Sequence, residues 1–163
     1  MPLVNGYCTL AELIARTETS GIDSTLERVI EAASRAIDRS CNRVFYQSSE
    51  TRTYTADSVD WLPIDDLISV TSLVTDDDGD RTYETTWVTT DYDLTPDNAA
   101  LRSEPYTAIA TAPNGTRSFP RQRRGVRITG LFGWPAIPDQ ITEACLILAH
   151  RYVRRQNSPE GVI

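Results

Sequence analysis

The densest group of potential metal ligands in this chain is the run Asp76-Asp77-Asp78-Gly79-Asp80. Carboxylate oxygens at this density could bind Ca²⁺, as they do in the loop of an EF-hand. That loop needs glycine at its sixth position and a carboxylate at its twelfth, where this chain has Arg81 and Trp87. We therefore interpret the run as a charged turn and predict no metal site.

Groups suited to nucleophilic or acid–base catalysis are also sparse. The single histidine, His150, precedes Arg151 in a helical pattern, and no GxSxG motif or similar signature marks a nucleophile. Asp65 and Asp66 are adjacent in an extended segment, so their side chains should point to opposite faces and not act as one acid–base pair. We predict no catalytic residues, no cofactor and no enzymatic activity.

The cysteines do not suggest a framework of disulfides. Cys8, Cys41 and Cys145 are an odd number and include no CxxC pair. Neither a disulfide framework nor a zinc site is predicted, and we expect small core or surface residues at these positions.

One basic segment, residues 117–127, could contact phosphate. Its five arginines are interleaved with Phe119 and Pro120. They are Arg117, Arg121, Arg123, Arg124 and Arg127. The segment is short and the chain has a net charge of -7, so three interpretations stay open: a DNA contact, an interface with an acidic protein patch, and a solvent-exposed loop.

The net charge is unevenly distributed along the chain. Residues 57–97 contain one arginine and twelve acidic residues, whereas residues 98–163 contain nine arginines and four acidic residues. If these segments stay apart in the fold, the protein has one acidic and one basic face, which would favour head-to-tail self-association. The alternative is that both segments are merely solvated.

Three amphipathic helices are predicted, and they should share one core. Thr9 and Glu12 form a capping box for the first helix, and Ser24 begins a second capping box. Pro138 begins the third helix, which has acidic residues in its first turn and arginines in its last. Apolar residues recur at spacings of three and four along each helix. The predicted ranges are about 9–17, 24–40 and 138–155.

Residues 51–131 are rich in Thr, Val, Tyr and Trp and alternate in polarity, which predicts β structure. Asp78-Gly79 predicts a two-residue hairpin turn that places Val74 opposite Tyr83. One strand face is expected to hold Ile68, Val70, Ser72 and Val74. Further strands are expected at 51–56, 86–94, 106–111 and 125–131.

The predicted fold class is α+β: a small helical bundle, made of two N-terminal helices and a C-terminal helix, with an inserted antiparallel β lobe. At 163 residues we expect one domain, with a flexible tail at its end. Its parts are a helical core at 7–45 and 136–155, a β lobe at 51–131 and a tail at 156–163. With no leader pattern and no apolar run of ~20 residues, the chain is expected to be soluble and unsecreted.

The order of several motifs resembles the head-to-tail connector (adaptor) proteins of long-tailed bacteriophages, prophages and gene-transfer particles. The N-terminal motifs are Leu10-Ala11-Glu12-Leu13 and the blocks at 26–38 and 42–45. The C-terminal block is 126–134, followed by Pro138, Ile141 and residues 144–152. Leu62-Pro63, residues 68–73 and Asp78-Gly79 are similar to the middle of the family's longer members.

This resemblance implies a structural protein of the virion neck, assembled in the host cytoplasm as a typically dodecameric ring below the portal. The ring would join the DNA-filled capsid to the tail and let the genome pass. The implied partners are the portal protein, downstream neck or tail-completion proteins, further copies of the chain, and genome DNA in the lumen without sequence-specific binding; no membrane is implied.

The family's C-terminal segment usually reaches into the portal. The corresponding positions here identify Arg154, Arg155, Val162 and Ile163 as candidate contacts to the portal or to a neighbouring subunit. The arginines of residues 117–127 are candidate contacts to DNA or between subunits. The alternative function is a nucleic-acid-binding accessory or regulatory protein that uses residues 117–127.

Overall fold

The computed structural model of the chain describes residues 3–17 and 23–156. Three helices and a six-stranded antiparallel sheet in these residues confirm the predicted α+β class. The helices are α1 (Leu10–Thr17), α2 (Asp23–Cys41) and α3 (Asp139–Gln156), with a short 3₁₀ helix at Ala99–Arg102. The strands are β1 (Ser48–Tyr54), β2 (Trp61–Thr75), β3 (Thr85–Trp87), β4 (Tyr92–Thr95), β5 (Tyr106–Thr111) and β6 (Val126–Phe132).

The chain divides into two compact units. The helical unit comprises the residues up to Tyr46 and those from Ala136 onward, and the sheet unit comprises Gln47–Pro135. The single connector domain stays a prediction. Of the predicted flexible tail, Gln156 belongs to α3 and the remaining residues lie outside the described part of the chain.

Local hydrogen bonds explain where the first helix begins. The backbone N–H of Thr9 donates to the Glu12 carboxylate at 2.7 Å, and the N–H of Glu12 donates to the Thr9 hydroxyl at 3.2 Å. This reciprocal pair is the predicted capping box. The bonds from the Thr9 backbone and hydroxyl lower the pKa of Glu12. Helix α2 instead begins at Asp23, so Ser24 lies inside the helix and is not its cap.

The helical unit is built around the apolar stripes of its three helices. Helix α2 contacts α3, and α1 contacts both. The buried apolar residues are Leu13 of α1, Leu26, Val29, Ile30, Ala33 and Ile37 of α2, and Cys145, Leu146, Ala149 and Val153 of α3. Leu148, at the centre of the predicted α3 stripe, is only partly buried. None of the helices in the described ranges is long and apolar enough to cross a bilayer.

The segment before α1 is held by Tyr7, which is 1% exposed. Its hydroxyl donates to the Asp38 carboxylate and accepts the backbone N–H of Phe45 at 2.8 Å. Its own backbone N–H donates to the Ser34 hydroxyl at 3.0 Å. Burial, followed by the bond to Asp38, raises the pKa of the Tyr7 hydroxyl above its usual range. Tyr7 therefore ties this segment to α2 and to the residues that follow it.

Strand β2 is the centre of the sheet, whose order is β1-β6-β2-β5-β4. Strand β6 pairs with one edge of β2, while β5 and β3 pair with successive parts of the other edge. The sheet core contains Ala56, Leu62, Leu67, Leu73, Trp87, Tyr92, Ile109, Phe119, Val126, Ile128 and Phe132. Residues from every strand except β1 contribute to this core, and Tyr54 of β1 packs against it.

The predicted two-residue hairpin at Asp78-Gly79 is wrong. Val74 pairs with Thr86, not with Tyr83, and residues 76–84 form a wider connection between β2 and β3. The Asp76 carboxylate accepts the backbone N–H groups of Gly79 at 2.7 Å and of Arg81 at 3.0 Å. Because one side chain bonds both amides, the wide loop is stabilised in place of a tight turn.

Two further strand predictions need correction. The pairing of β2 with β6 shifts register between Leu67 and Ser69 and again between Val70 and Ser72. These bulges break strict alternation, so Leu67 and Leu73 are buried and the predicted face from residue 68 to 74 is not continuous. The predicted strand at 86–94 is interrupted at residues 88–91 by a turn, which separates β3 from β4.

The shared helical core predicts a large effect of a charge at Ile37, which is 5% exposed. We expect Ile37→Asp to lose about 3 kcal/mol or more of stability, because it removes apolar burial and places a carboxylate without a partner in the core. Ala32→Asp is the control, since residue 32 is exposed on the same helix. Thermal unfolding followed by circular dichroism measures both, and equal melting temperatures would contradict the shared core.

Gly130 should be intolerant of any side chain. A Cβ atom there would lie 2.3 Å from the backbone carbonyl oxygen of Ser69 on β2. We expect Gly130→Ala to lose about 1–3 kcal/mol, because β6 must move away from β2. Gly115→Ala serves as the control, since the nearest atom to its Cβ is the Ala112 carbonyl oxygen at 3.1 Å. Similar urea midpoints for both variants would show that the close approach is unimportant.

Candidate interaction surfaces

In the sheet unit, the acidic loop (residues 76–84) contacts the arginine-rich segment (residues 117–127). The backbone N–H of Asp76 donates to the Gly125 carbonyl at 2.9 Å, and the Gln122 side-chain amide donates to the Asp76 carbonyl. The Tyr83 hydroxyl donates to the Arg124 carbonyl at 2.9 Å. The two segments are therefore not separated into an acidic face and a basic face, and this part of the predicted charge separation is wrong.

The five arginines of the arginine-rich segment have different environments. Arg117 lies 3.7 Å from the Asp91 carboxylate. Arg124 donates from its backbone to the Thr55 hydroxyl at 2.9 Å and from Nε to the Thr53 hydroxyl at 3.3 Å. The guanidinium of Arg127 lies 4.1 Å from the centre of the Tyr83 ring. The side chains of Arg117, Arg121, Arg123 and Arg124 are exposed, and that of Arg127 is partly buried.

The aromatic residue within this segment is part of the core. Phe119 is 1% exposed and stacks on Trp87 with 4.7 Å between ring centres. A buried ring cannot stack on a base, so the segment lacks the aromatic contact that single-stranded nucleic-acid binding commonly uses. What remains for a partner is the exposed guanidinium groups.

In the acidic loop, the structure adds Glu84 to the carboxylates of Asp76, Asp78 and Asp80, which the sequence already groups. One ligand oxygen each of Asp76, Asp78, Asp80 and Glu84 lies within 4.8 Å of the others. Asp76 already accepts two backbone N–H groups, and Asp80 accepts the N–H of Thr82 at 2.6 Å. The backbone bond from Thr82 lowers the pKa of Asp80. These contacts give Asp76 and Asp80 a structural role in shaping the loop.

A second charged group lies on the edge strand β1. Arg52 contacts the carboxylates of Glu50 at 2.8 Å and Asp65 at 3.0 Å, and its guanidinium lies 4.3 Å from the centre of the Phe132 ring. The Tyr54 hydroxyl donates to Asp65 at 3.0 Å. Burial, with the nearby Asp65 charge, raises the pKa of Tyr54 above its usual range. These contacts link β1 to β2. This group of residues was not predicted from the sequence.

Asp65 and Asp66 have the separate environments that their adjacency predicts. Asp65 is exposed and pairs with Arg52, whereas Asp66 is buried and accepts the indole N–H of Trp134 at 2.9 Å. The carbonyl of Asp66 also accepts the backbone N–H of Gly133 at 2.8 Å. Asp66 thus holds the chain where it leaves β6.

The helical unit has an open groove of about 500 Å³ between α2 and α3. It is lined by Thr25, Arg28, Val29, Ala32, Tyr152 and Arg155. Arg28 and Arg155 are exposed, so two cations border an apolar floor. Arg154 is also exposed in the last turn of α3. Val162 and Ile163, the other predicted contacts at this end of the chain, lie outside the described residues.

Comparison with known proteins gives a match of fold. No family model and no curated protein matches the chain. The chain is similar over 100% of its length to one from the neck of an empty gene transfer agent particle computed with C6 symmetry, with a TM-score of 0.64, 20% identity and 86% of that chain covered. A chain from the neck of the native particle computed with C12 symmetry matches with a TM-score of 0.58 and 20% identity, and 85% of that chain is covered. A chain from the virion of the native particle matches with a TM-score of 0.58 and 18% identity, and 86% of that chain is covered.

These identities establish the fold alone. The fold of this chain is one found in neck structures of gene transfer agent particles, and the likeness extends through both compact units. This agrees with the resemblance to connector proteins that the order of motifs indicates.

Asp76 should control the shape of the acidic loop. We expect Asp76→Ala to cost about 1–2 kcal/mol and to speed hydrogen exchange at residues 77–84, because two backbone amides lose their acceptor. Asp78→Ala is the matched control: Asp78 is exposed and accepts only the N–H of Asp80 at 3.1 Å among the bonds found in the described residues. Equal exchange in the two variants would contradict the role of Asp76.

Proposed function

We propose that this chain is a structural protein of a virion neck and forms a ring-shaped head-to-tail connector below the portal. The observation that carries this proposal is the likeness of fold over the whole chain to chains from the necks of gene transfer agent particles. The order of the sequence motifs gives independent support, since it resembles the same class of protein. In this role the protein joins the capsid to the tail and acts by assembly, without catalysis.

A closed ring is the proposed form of assembly. The neck structures were computed with C6 and C12 symmetry, which supports a cyclic arrangement, and we propose twelve copies. Neighbours in such a ring contact each other through two different surfaces. The exposed side chains of Arg121 and Arg123 are proposed to supply one of these surfaces, and acidic groups of the next copy are their proposed partners.

The end of α3 is the proposed contact with the portal. Arg154 and Arg155 are exposed in the last turn, and Arg155 also borders the groove over Tyr152. Guanidinium groups at the rim of an apolar groove suit a partner segment that combines carboxylates with apolar side chains. Val162 and Ile163 are proposed to add apolar contacts to the same partner.

Genome DNA is proposed to pass through the lumen without specific binding. The sheet unit, residues 47–135, contains fourteen acidic residues and eight arginines, so its net charge is -6. Phosphates are repelled by a surface of this sign, and a repelled duplex can slide. The alternative of a dedicated nucleic-acid-binding protein gains no support from the fold comparisons, and Phe119 is buried in the sheet core.

The test is a pair of charge reversals with equal change in net charge. We expect Arg154→Glu/Arg155→Glu to weaken attachment to portal-bearing capsids by roughly tenfold or more, because favourable charge pairs become repulsive. Arg39→Glu/Arg102→Glu is the matched control, since both residues are exposed and neither belongs to a proposed contact. Co-sedimentation with capsids measures attachment, and electron microscopy shows whether rings form.

Two outcomes would contradict the proposal. Attachment of the Arg154/Arg155 variant at the level of the unmodified protein would remove the portal contact from α3. If no ring forms with capsids, and the unmodified protein binds duplex DNA in a salt-sensitive way that Arg121→Glu/Arg123→Glu abolishes, the nucleic-acid-binding alternative is the better description.

A further inference from the structure

Two thiols distant in sequence lie side by side in the helical unit. Cys8 precedes α1 and Cys145 lies in α3, 137 positions later, yet their sulfur atoms are 3.4 Å apart. Both are free cysteines, with exposures of 4% and 0%. Cys41, the third cysteine, is exposed. The cysteines are therefore a buried pair and one separate residue, an arrangement that spacing in the sequence does not show.

The surroundings of the pair favour a thiolate at one of its members. The thiol of Cys8 points at the sulfur of Cys145, and the Ser34 hydroxyl lies 3.4 Å from the same sulfur. The hydrogen bond from Cys8 lowers the pKa of the Cys145 thiol. Thiolate, not thiol, is the nucleophile in exchange with disulfides. The exchange therefore begins at whichever thiol of the pair is deprotonated.

We propose that Cys8 and Cys145 are a redox site that forms a reversible intramolecular disulfide by exchange with a small disulfide such as oxidised glutathione. The sulfur atoms must approach from 3.4 Å to roughly 2.05 Å, the length of an S–S bond. Both residues belong to the same compact unit, so the approach requires a local adjustment of the segment before α1. Among the described residues, Cys8 with Cys145 is the thiol–thiol contact that is found, and Cys41 is exposed.

The reaction balances in two exchange steps. The thiolate of one member of the pair attacks one sulfur of oxidised glutathione, whose S–S bond breaks and releases one glutathione as a thiolate that takes a proton. The other thiol of the pair then loses its proton to solvent, and its sulfur attacks the first cysteine's sulfur and expels the second glutathione. Two protein thiols are oxidised and one glutathione disulfide is reduced to two thiols. Because the pair is buried, the segment before α1 must open locally before the first step.

The disulfide would join the segment before α1 covalently to α3. It would close a loop of more than a hundred residues and so remove much conformational freedom from the unfolded chain. Thiols stay reduced in a cytosol and oxidise outside it. We add that the bond would form after particles leave the host cell, and this timing rests on the proposed function. The disulfide itself does not depend on that function.

The test uses the full chain with Cys41→Ser, which removes the exposed thiol and keeps the buried pair. After incubation with oxidised glutathione we expect both remaining thiols to be lost without any glutathione adduct. Mass spectrometry of a digest should find the peptide of Cys8 linked to that of Cys145. The melting temperature should rise by roughly 10 °C and return to its initial value with a reductant.

Matched controls are Cys8→Ser and Cys145→Ser in the same background. Each retains one buried thiol, so neither can show the linked peptide or the reversible rise in melting temperature. The proposal is overturned if the Cys41→Ser protein keeps both thiols after incubation that includes mild denaturant, or if it gains separate glutathione adducts at Cys8 and Cys145. Ring formation is not part of this readout, so its failure is distinguishable from failure of the connector role.

Discussion

The close approach of β6 to the bulged part of β2 determines most of the sheet unit. Gly130 permits this approach because the Ser69 carbonyl oxygen occupies the space of a Cβ atom. The two bulges beside it set which residues of β2 face the core, and β5 and β3 then pair with the other edge. The same pairing ends with Thr75 opposite Val126. The loop that leaves β2 and the segment that enters β6 must therefore meet, which brings acidic and basic residues together.

The contact between the acidic loop and the arginine-rich segment changes the interpretation of the charge distribution. Residues 57–97 and 98–163 differ strongly in charge along the sequence, yet the antiparallel pairing of β2 with β6 places the acidic loop against the arginine-rich segment. These two segments meet mainly through backbone hydrogen bonds, and Arg117 forms its ion pair with Asp91, outside the acidic loop. Arg127 covers Tyr83 and Arg117 lies beside Asp91, so a count of arginines overestimates the positive charge that a partner meets.

The features predicted best from the sequence are those that depend on interactions between residues close together in the chain. The capping box of Thr9 and Glu12 is local, and it located α1 to within one residue. The phase of β2 was not predictable in this way, because its bulges occur in the pairing with β6, a strand distant in sequence. The wide loop was not predictable either. Asp78-Gly79 favours a tight turn, but the Asp76 carboxylate accepts two backbone N–H groups and stabilises the wider loop. The Tyr7 contact with Asp38 and the pair of Cys8 and Cys145 join residues far apart in sequence, so no local pattern marks them.

The surfaces proposed for assembly consist of a few exposed arginines and one shallow groove, so a single contact between two copies would be weak. A ring removes this weakness, because each copy adds the same contact and closure makes the last ones intramolecular. In the proposed assembly, a portal with matching symmetry would repeat the contact at α3 in the same way. Weak contacts also allow correction of misplaced subunits before closure, while the rotation between neighbours decides whether a ring closes. Modest surfaces on each copy are therefore suited to the proposed growth of a neck on a portal.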